Sequence, residues 1–283
     1  MNKIHGFRGM SSSEASKVKV KGHSFEESIS PYLGLNPKNP KELIPGQDKA
    51  DFKLKNGKTI SLKAGKARTQ FALYAKNSSK FSDHDKFLKD KKNSSSALNK
   101  EIYNIFNVFP ENFEDYHSNK SFFKERLKPE MISLSNFLQN KDNFKVFLNF
   151  FLFYDSSLNS YVDYLLHKNP QNSMEYYFFK REDVVDCFLK HSKIVNSKAR
   201  SSREWDDQKV ILKGSPSNDD RFYNLIDVEI RKESISHYNE ILLVGSINKY
   251  LPFLIKNIEK KHSISVNDIN FNIHCSIFDL PFK

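Results

Sequence analysis

The sequence predicts an α+β protein, of α/β character in its first half, built on a mixed central β-sheet flanked by helices. Three observations carry this. Two short alternating runs, DFKL and TISL, bracket Asn56-Gly57, the mark of a β-hairpin. From Leu98 to His167, aromatic and aliphatic residues recur three and four apart, as they do on helices. After Asn169, strand-like and helix-like runs alternate.

The chain of 283 residues is 28% charged and 38% hydrophobic, enough to bury a core in one large domain or two small ones. Its longest apolar stretch, VFLNFFLFY, is too short to span a membrane, so no membrane partner is expected. The N-terminus lacks an apolar signal core. Cys187 and Cys275 lie far apart in apolar runs. That excludes a CxxC zinc site and a disulfide framework, and points to buried thiols in a reducing, cytoplasmic compartment. The net charge of +11 and pI of 9.3 favour a polyanion, most often nucleic acid.

In chain order, residues 1–20 are polar. GHSFEESISPYLGL reads as a short helix with Ser24 as N-cap and Glu27 completing a capping box. GLNPKNPKELIPGQ is turn-rich. The hairpin follows, then an expected helix from Lys66 to Lys76. NSSKFSDHDKFLKDKKNSSSALN reads as an exposed loop. LNKEIYNIFNVF, SFFKERL, MISLSNFLQN, NFKVFLNFFLFY and SYVDYLLHK read as helices whose aromatic residues form core. Beyond them SMEYYFFK, QKVILKG, YNLIDVEIRK, YNEILLVGS and NFNIHCSIFDLPF read as strands. REDVVDCFLKHS and the proline-bearing INKYLPFLIKNIEKK read as helices. The chain divides into 1–97 with the hairpin, a helical region at 98–170, and an α+β part at 171–283. Both ends can contribute strands to one sheet.

The apolar residues of the hairpin fix its register. Phe52, Leu54, Ile60 and Leu62 must share a face, and directly opposed residues do so. A two-residue turn at Asn56-Gly57 would set Leu54 against Thr59, apolar against polar. An odd-length loop is therefore expected, with Gly57 in the left-handed region as a bulge. Asp51, Lys53, Thr59, Ser61 and Lys63 then project from the opposite face. An aspartate and a lysine so placed are half of a metal-dependent nuclease centre: the carboxylate holds Mg²⁺ against a phosphate oxygen, and the ammonium stabilises developing charge.

SFEES, KADF, ISLK and GKARTQFALYAK, taken in that order, resemble the core of the PD-(D/E)xK nuclease superfamily, type II restriction endonucleases in particular. Asp51 matches its first acid and Lys63 its lysine. Gln70 and Tyr74 match a Gln-x-x-x-Tyr spacing of the RecB-like exonuclease branch. Ser61 stands where the motif has Glu or Asp, so the resemblance demands a carboxylate from elsewhere. Glu26 and Glu27 are the candidates. Glu26 falls in phase with Ile29 and Leu33 and points toward the sheet, whereas Glu27 suits the cap. Gln70 could add a carbonyl ligand, and Asp48 is a rival first acid.

The resemblance implies a restriction-endonuclease-like core, Mg²⁺ (with Mn²⁺ as substitute) and catalytic residues Asp51, Lys63, Glu26, Ser61 and Gln70. The metal would rest on Asp51 with Glu26 or Glu27. It implies double-stranded DNA as substrate, a two-fold homodimer, and a separate cognate DNA methyltransferase. Expected DNA contacts are Lys66, Arg68, Arg200 and Arg203. The last two sit in RSSREWDD, which fits either a DNA-contacting loop or a solvated connection. A RecB-like exonuclease or repair nuclease, and a non-catalytic nucleic-acid-binding protein, are the alternatives. His84 lacks the frame of an HNH nuclease. No nucleophile elbow, dinucleotide fingerprint or P-loop is present in the sequence.

Overall fold

The computed structural model describes residues 29–30, 49–54, 56–65, 67–75, 94–171, 175–201, 204–217, 221–258, 262–266 and 271–275. Its fold is α+β, with two main sheets and a layer of helices. The first sheet has six strands in the order β1 (Phe52–Lys53), β2 (Thr59–Lys63), β6 (Tyr164–Lys168), β7 (Glu175–Lys180), β13 (Phe271–Cys275) and β12 (His262–Val266). The second has five, ordered β3 (Arg68–Ala75), β11 (Glu240–Ser246), β10 (Tyr223–Arg231), β9 (Lys209–Gly214) and β8 (Lys193–Asn196), all antiparallel. A small ribbon pairs β4 (Tyr154–Asp155) with β5 (Ser160–Tyr161).

The helices are α1 (Ser96–Asn107), α2 (Phe113–Ser118), α3 (Lys120–Leu138), α4 (Lys141–Leu148), α5 (Arg181–His191) and α6 (Ile247–Asn257). Their starts follow local chemistry. Ser95 accepts from the Leu98 amide, Asn112 from Asp115, and Asn140 from both Asp142 and Asn143. A π-helical turn, Asn149–Phe153, carries α4 into β4. Phe147, Phe150, Phe151 and Phe153 are almost wholly buried there. The aromatic run in this region is core, as its spacing predicts.

β2 and β6 are parallel neighbours, so the chain between them must cross over. The crossover takes in β3, four helices and the π turn. One apolar core runs from the second sheet (Val210, Leu212, Val228, Leu243) through these helices to Leu165, Tyr177 and Phe179 on one face of the first sheet. Phe52, Ile60, Leu166 and Phe178 lie on that sheet's other face, and they too are buried.

Two sequence expectations are overturned. The stretch expected as a helix from Lys66 to Lys76 is strand β3. Its pairing with β11 shifts register at Phe71, a bulge that turns both Phe71 and Ala72 inward. Two successive buried residues break the period of two and mimic a helix. SYVDYLLHK is likewise β5 and β6 rather than helix. β6 is buried along almost its whole length, and a strand covered on both faces has no alternation to show. The short strands β8 and β12 were not anticipated. The helix expected over residues 22–35 and the loop after residue 76 lie largely outside the described residues. Cys187 is buried on α5, and burial pushes its thiol up to about 12. The side chain of Cys275 is outside the described set.

Candidate functional site

The hairpin closes as its apolar residues require. The Leu54 amide donates to the Lys58 carbonyl at 2.7 Å and the Gly57 amide to Leu54 at 2.9 Å, around a three-residue loop at 55–57. Gly57 has φ +83°, a left-handed value that costs glycine nothing. Phe52 faces Ile60 and Lys53 faces Thr59, and the Asp51 amide, just before β1, also donates to the Ile60 carbonyl at 2.8 Å. On the other side of β2, Ser61 neighbours Leu165 and Lys63 neighbours His167. Ser61, Lys63 and His167 therefore share one face of the first sheet, and Asp51 lies at the edge of β2 with its carboxylate on the Leu62 amide.

That face is turned toward the core rather than to open solvent. Leu165 belongs to the core, and His167 bonds to Tyr250 on α6. Asp51 and Lys63 are half-buried, while Ser61 is 2% exposed. The Asp51 carboxylate accepts the Leu62 amide at 2.5 Å. The Ser61 hydroxyl has no hydrogen-bond partner among the described residues. Lys63 makes no hydrogen bond or ion pair among them. A buried hydroxyl and a half-buried ammonium left unused are costly unless something else engages them.

His167 is wholly buried. Its pKa is lowered to about 4, chiefly by loss of solvation, with the Lys63 charge adding and the Lys168 carbonyl opposing. The neutral ring donates from Nδ1 to the Lys168 carbonyl at 2.7 Å, so Nε2 accepts from the Tyr250 hydroxyl. A neutral neighbour leaves Lys63 without a second positive charge beside it. Sequence reasoning missed His167 because the run that carries it was read as a helix.

The approach to Asp51 is set by a residue far away in sequence. Asp155, fully buried, accepts the amides of Lys49 at 2.7 Å and Ala50 at 2.8 Å. It also accepts from Ser157 Oγ at 2.6 Å and the Leu158 amide at 3.0 Å. Lys49 Nζ donates to the Phe151 and Phe150 carbonyls at 2.5 and 3.2 Å, the open end of the π turn. The helical layer thus clamps the two residues before Asp51. On the far side, Asp163 accepts from Lys58 Nζ at 2.7 Å and the Thr59 amide at 3.0 Å, pinning the start of β2.

Three of the other expected site residues, Gln70, Arg68 and Arg200, lie elsewhere. Gln70 is exposed on β3 of the second sheet, opposite Val244. Tyr74, from the same spacing, is core, with ring centroids 5.4 Å from Phe150 and 5.3 Å from Phe151. Arg68 is on β3 too, 3.8 Å from Asp227 and 3.7 Å from Glu229. Arg200 is exposed in the loop before β9. Glu26, Glu27, Lys66 and Arg203, with Asp48 and His84, lie outside the described residues.

Among the described residues no group of three or more His, Cys, Asp or Glu side chains could hold a metal ion. Asp155 and Asp163 are engaged by the backbone and by Lys58, which leaves Asp51 as the hairpin's own carboxylate beside the neutral Ser61 hydroxyl. Mg²⁺ needs about two carboxylates plus waters, so this donor set does not suffice without a further acid. No protein-family model matches the chain, and no curated protein or solved structure matches it.

Proposed function

We propose that the protein is a metal-dependent deoxyribonuclease of the type II restriction kind, with Asp51 and Lys63 at its centre. The observation that carries this reading is the Asp51 carboxylate held on the Leu62 amide, next to Lys63 and the Ser61 hydroxyl, neither of which has a hydrogen-bond partner among the described residues. The missing carboxylate would come from Glu26, or Glu27, and the net charge of +11 suits a DNA substrate. Bound there, Mg²⁺ would stabilise charge on the phosphate and acidify a water. Lys63 would orient the attacking water and offset charge as the phosphodiester opens, leaving 5′-phosphate ends. A cytoplasmic enzyme, a two-fold homodimer on palindromic sites and a cognate methyltransferase complete the proposal.

A second reading, a non-catalytic nucleic-acid-binding protein, is favoured by the single carboxylate among the described residues at the hairpin. The RecB-like alternative draws less support, because Gln70 sits on a different sheet from Asp51. Incubation of the protein with closed circular DNA and Mg²⁺ separates the three. Discrete fragments support the restriction reading, and loss of linear DNA alone supports an exonuclease. No cleavage in Mg²⁺ or Mn²⁺ leaves the binding protein. Lys63→Ala should slow cleavage by about 10²-fold or more while DNA is still bound; a variant that cuts normally would remove the hairpin from the mechanism.

A further inference from the structure

The hairpin is not the only place where a cation is held without a partner. On the second sheet, a cavity of about 440 Å³ opens between β9, β10, the start of α3 and the loop before β9. Six cationic side chains line it, Lys124, Lys198, Arg200, Lys209, Lys213 and Lys232, against three carboxylates, Glu204, Asp227 and Glu233. Several of these are already paired. Lys209 bonds to Glu229 and lies 3.6 Å from Asp227, Lys124 is 3.9 Å from Glu233, and Lys198 is 3.6 Å from Asp207. Arg200, Lys213 and Lys232 make no ion pair among the described residues.

Lys232 stands apart from the other two. It is 9% exposed, yet it lines the cavity and has no hydrogen-bond or ion-pair partner among the described residues. Burial lowers its pKa to about 8, with Glu233 and Glu229 opposing and Lys124 and Lys209 adding. An ammonium kept out of water in this way is destabilising on its own account. An anion entering the cavity would stabilise it. Two other wall residues narrow the chemistry. Trp205 gives the cavity an aromatic side and is held by Lys124 and Lys128, whose Nζ atoms lie 5.9 and 5.3 Å from its ring centre. Gln208, on the cavity wall, donates from Nε2 to the Lys124 carbonyl at 2.7 Å, and its buried Oε1 has no partner among the described residues.

We infer that this cavity binds a nucleoside phosphate, its phosphate on Lys232 with Lys213 and Arg200, and its base against Trp205. The volume suits one nucleotide rather than a duplex. A lysine serves phosphate as a compact point charge, and an aromatic wall accepts any base face. The proposal stands on the second sheet and does not depend on the hairpin being catalytic.

Trp205 is the one tryptophan in the chain, so its fluorescence reports this cavity alone. The full chain is titrated with AMP, adenosine and inorganic phosphate. AMP should change the emission saturably, and adenosine should bind at least tenfold more weakly. Lys232→Met, which keeps the stem and removes the charge, should weaken AMP at least tenfold without lowering the melting temperature. Lys213→Met, at a more exposed position, should weaken it less and keeps the test alive if the first variant misfolds. No saturable response, or equal AMP binding by the wild type and both variants, would overturn the assignment. Phosphate binding as tightly as AMP would also overturn it, because the base would then contribute nothing.

Discussion

The two sheets place their charges in opposite ways. On the second sheet, Lys209, Arg68, Asp227 and Glu229 occupy the face away from the core and pair with one another. Lys209 bridges Glu229 and Asp227 across β9 and β10, and Arg68 approaches both acids from β3. Burial there raises the Asp227 carboxyl above its ordinary range, and Lys209 opposes the shift. On the first sheet, the hairpin turns its polar face toward the core side, and two of those groups, Ser61 and Lys63, are unused. An ion-pair network on a sheet face needs no ligand to explain it. Unused polar groups do, and that contrast singles out the hairpin on the first sheet and the cavity at Lys232 on the second.

Three measurements sharpen or break the contrast. The largest effect should come from Asp155→Ala. It strips the partner from the amides of Lys49, Ala50 and Leu158, three backbone donors at about 1–3 kcal/mol each if left unpaired. A loss of about 4 kcal/mol is expected in denaturant unfolding, with Asp155→Asn recovering part of it. A loss under about 1 kcal/mol would mean that the approach to Asp51 is not clamped from the helical layer.

The next effect is acid sensitivity. His167 takes up a proton at an ordinary pKa of 6.5 when unfolded, but only near 4 when folded. Its contribution to stability is therefore complete above pH 6.5 and is lost as pH falls from 6.5 to 4. The expected size is about 3 kcal/mol, at 1.36 kcal/mol per pH unit. His167→Gln should flatten this limb of the stability profile; an unchanged limb would place the titration elsewhere.

The smallest effect should come from Arg68→Ala. Arg68 is 56% exposed and its ion pairs are long. A change within about 0.5 kcal/mol is expected, shrinking further in high salt. A cost of several kcal/mol would show the outer face of the second sheet to be more than a solvated network.

How much of this was readable in the sequence depended on whether a local rule was left undisturbed. The hairpin was, because only an odd loop with glycine at position 57 lets Phe52, Leu54 and Ile60 share a side. Most strands after residue 170 and the proline-bearing α6 were readable for the same reason. β3 was not, since the Phe71 bulge hides its alternation, and β6 was not, since burial on both faces removes it. Those two misreadings concealed the neighbours of the hairpin, His167 above all. They also lent Gln70 and Tyr74 a helical spacing that they do not have. Lys232 and Gln208 could not have been singled out either, because a lysine among lysines shows its burial only once the sheet is assembled.

The order of strands in the first sheet has a consequence for how the chain is made. β7, the run EYYFFK, takes β13 as its parallel neighbour, and about ninety residues of chain separate the two. At ribosomal rates that interval lasts on the order of ten seconds. For that time a strand rich in tyrosine and phenylalanine presents an open edge, the kind on which nascent chains aggregate. Strands β12 and β13 therefore act as a seal, and shortening the chain before residue 271 should send the protein into inclusion bodies rather than yield a smaller soluble fold.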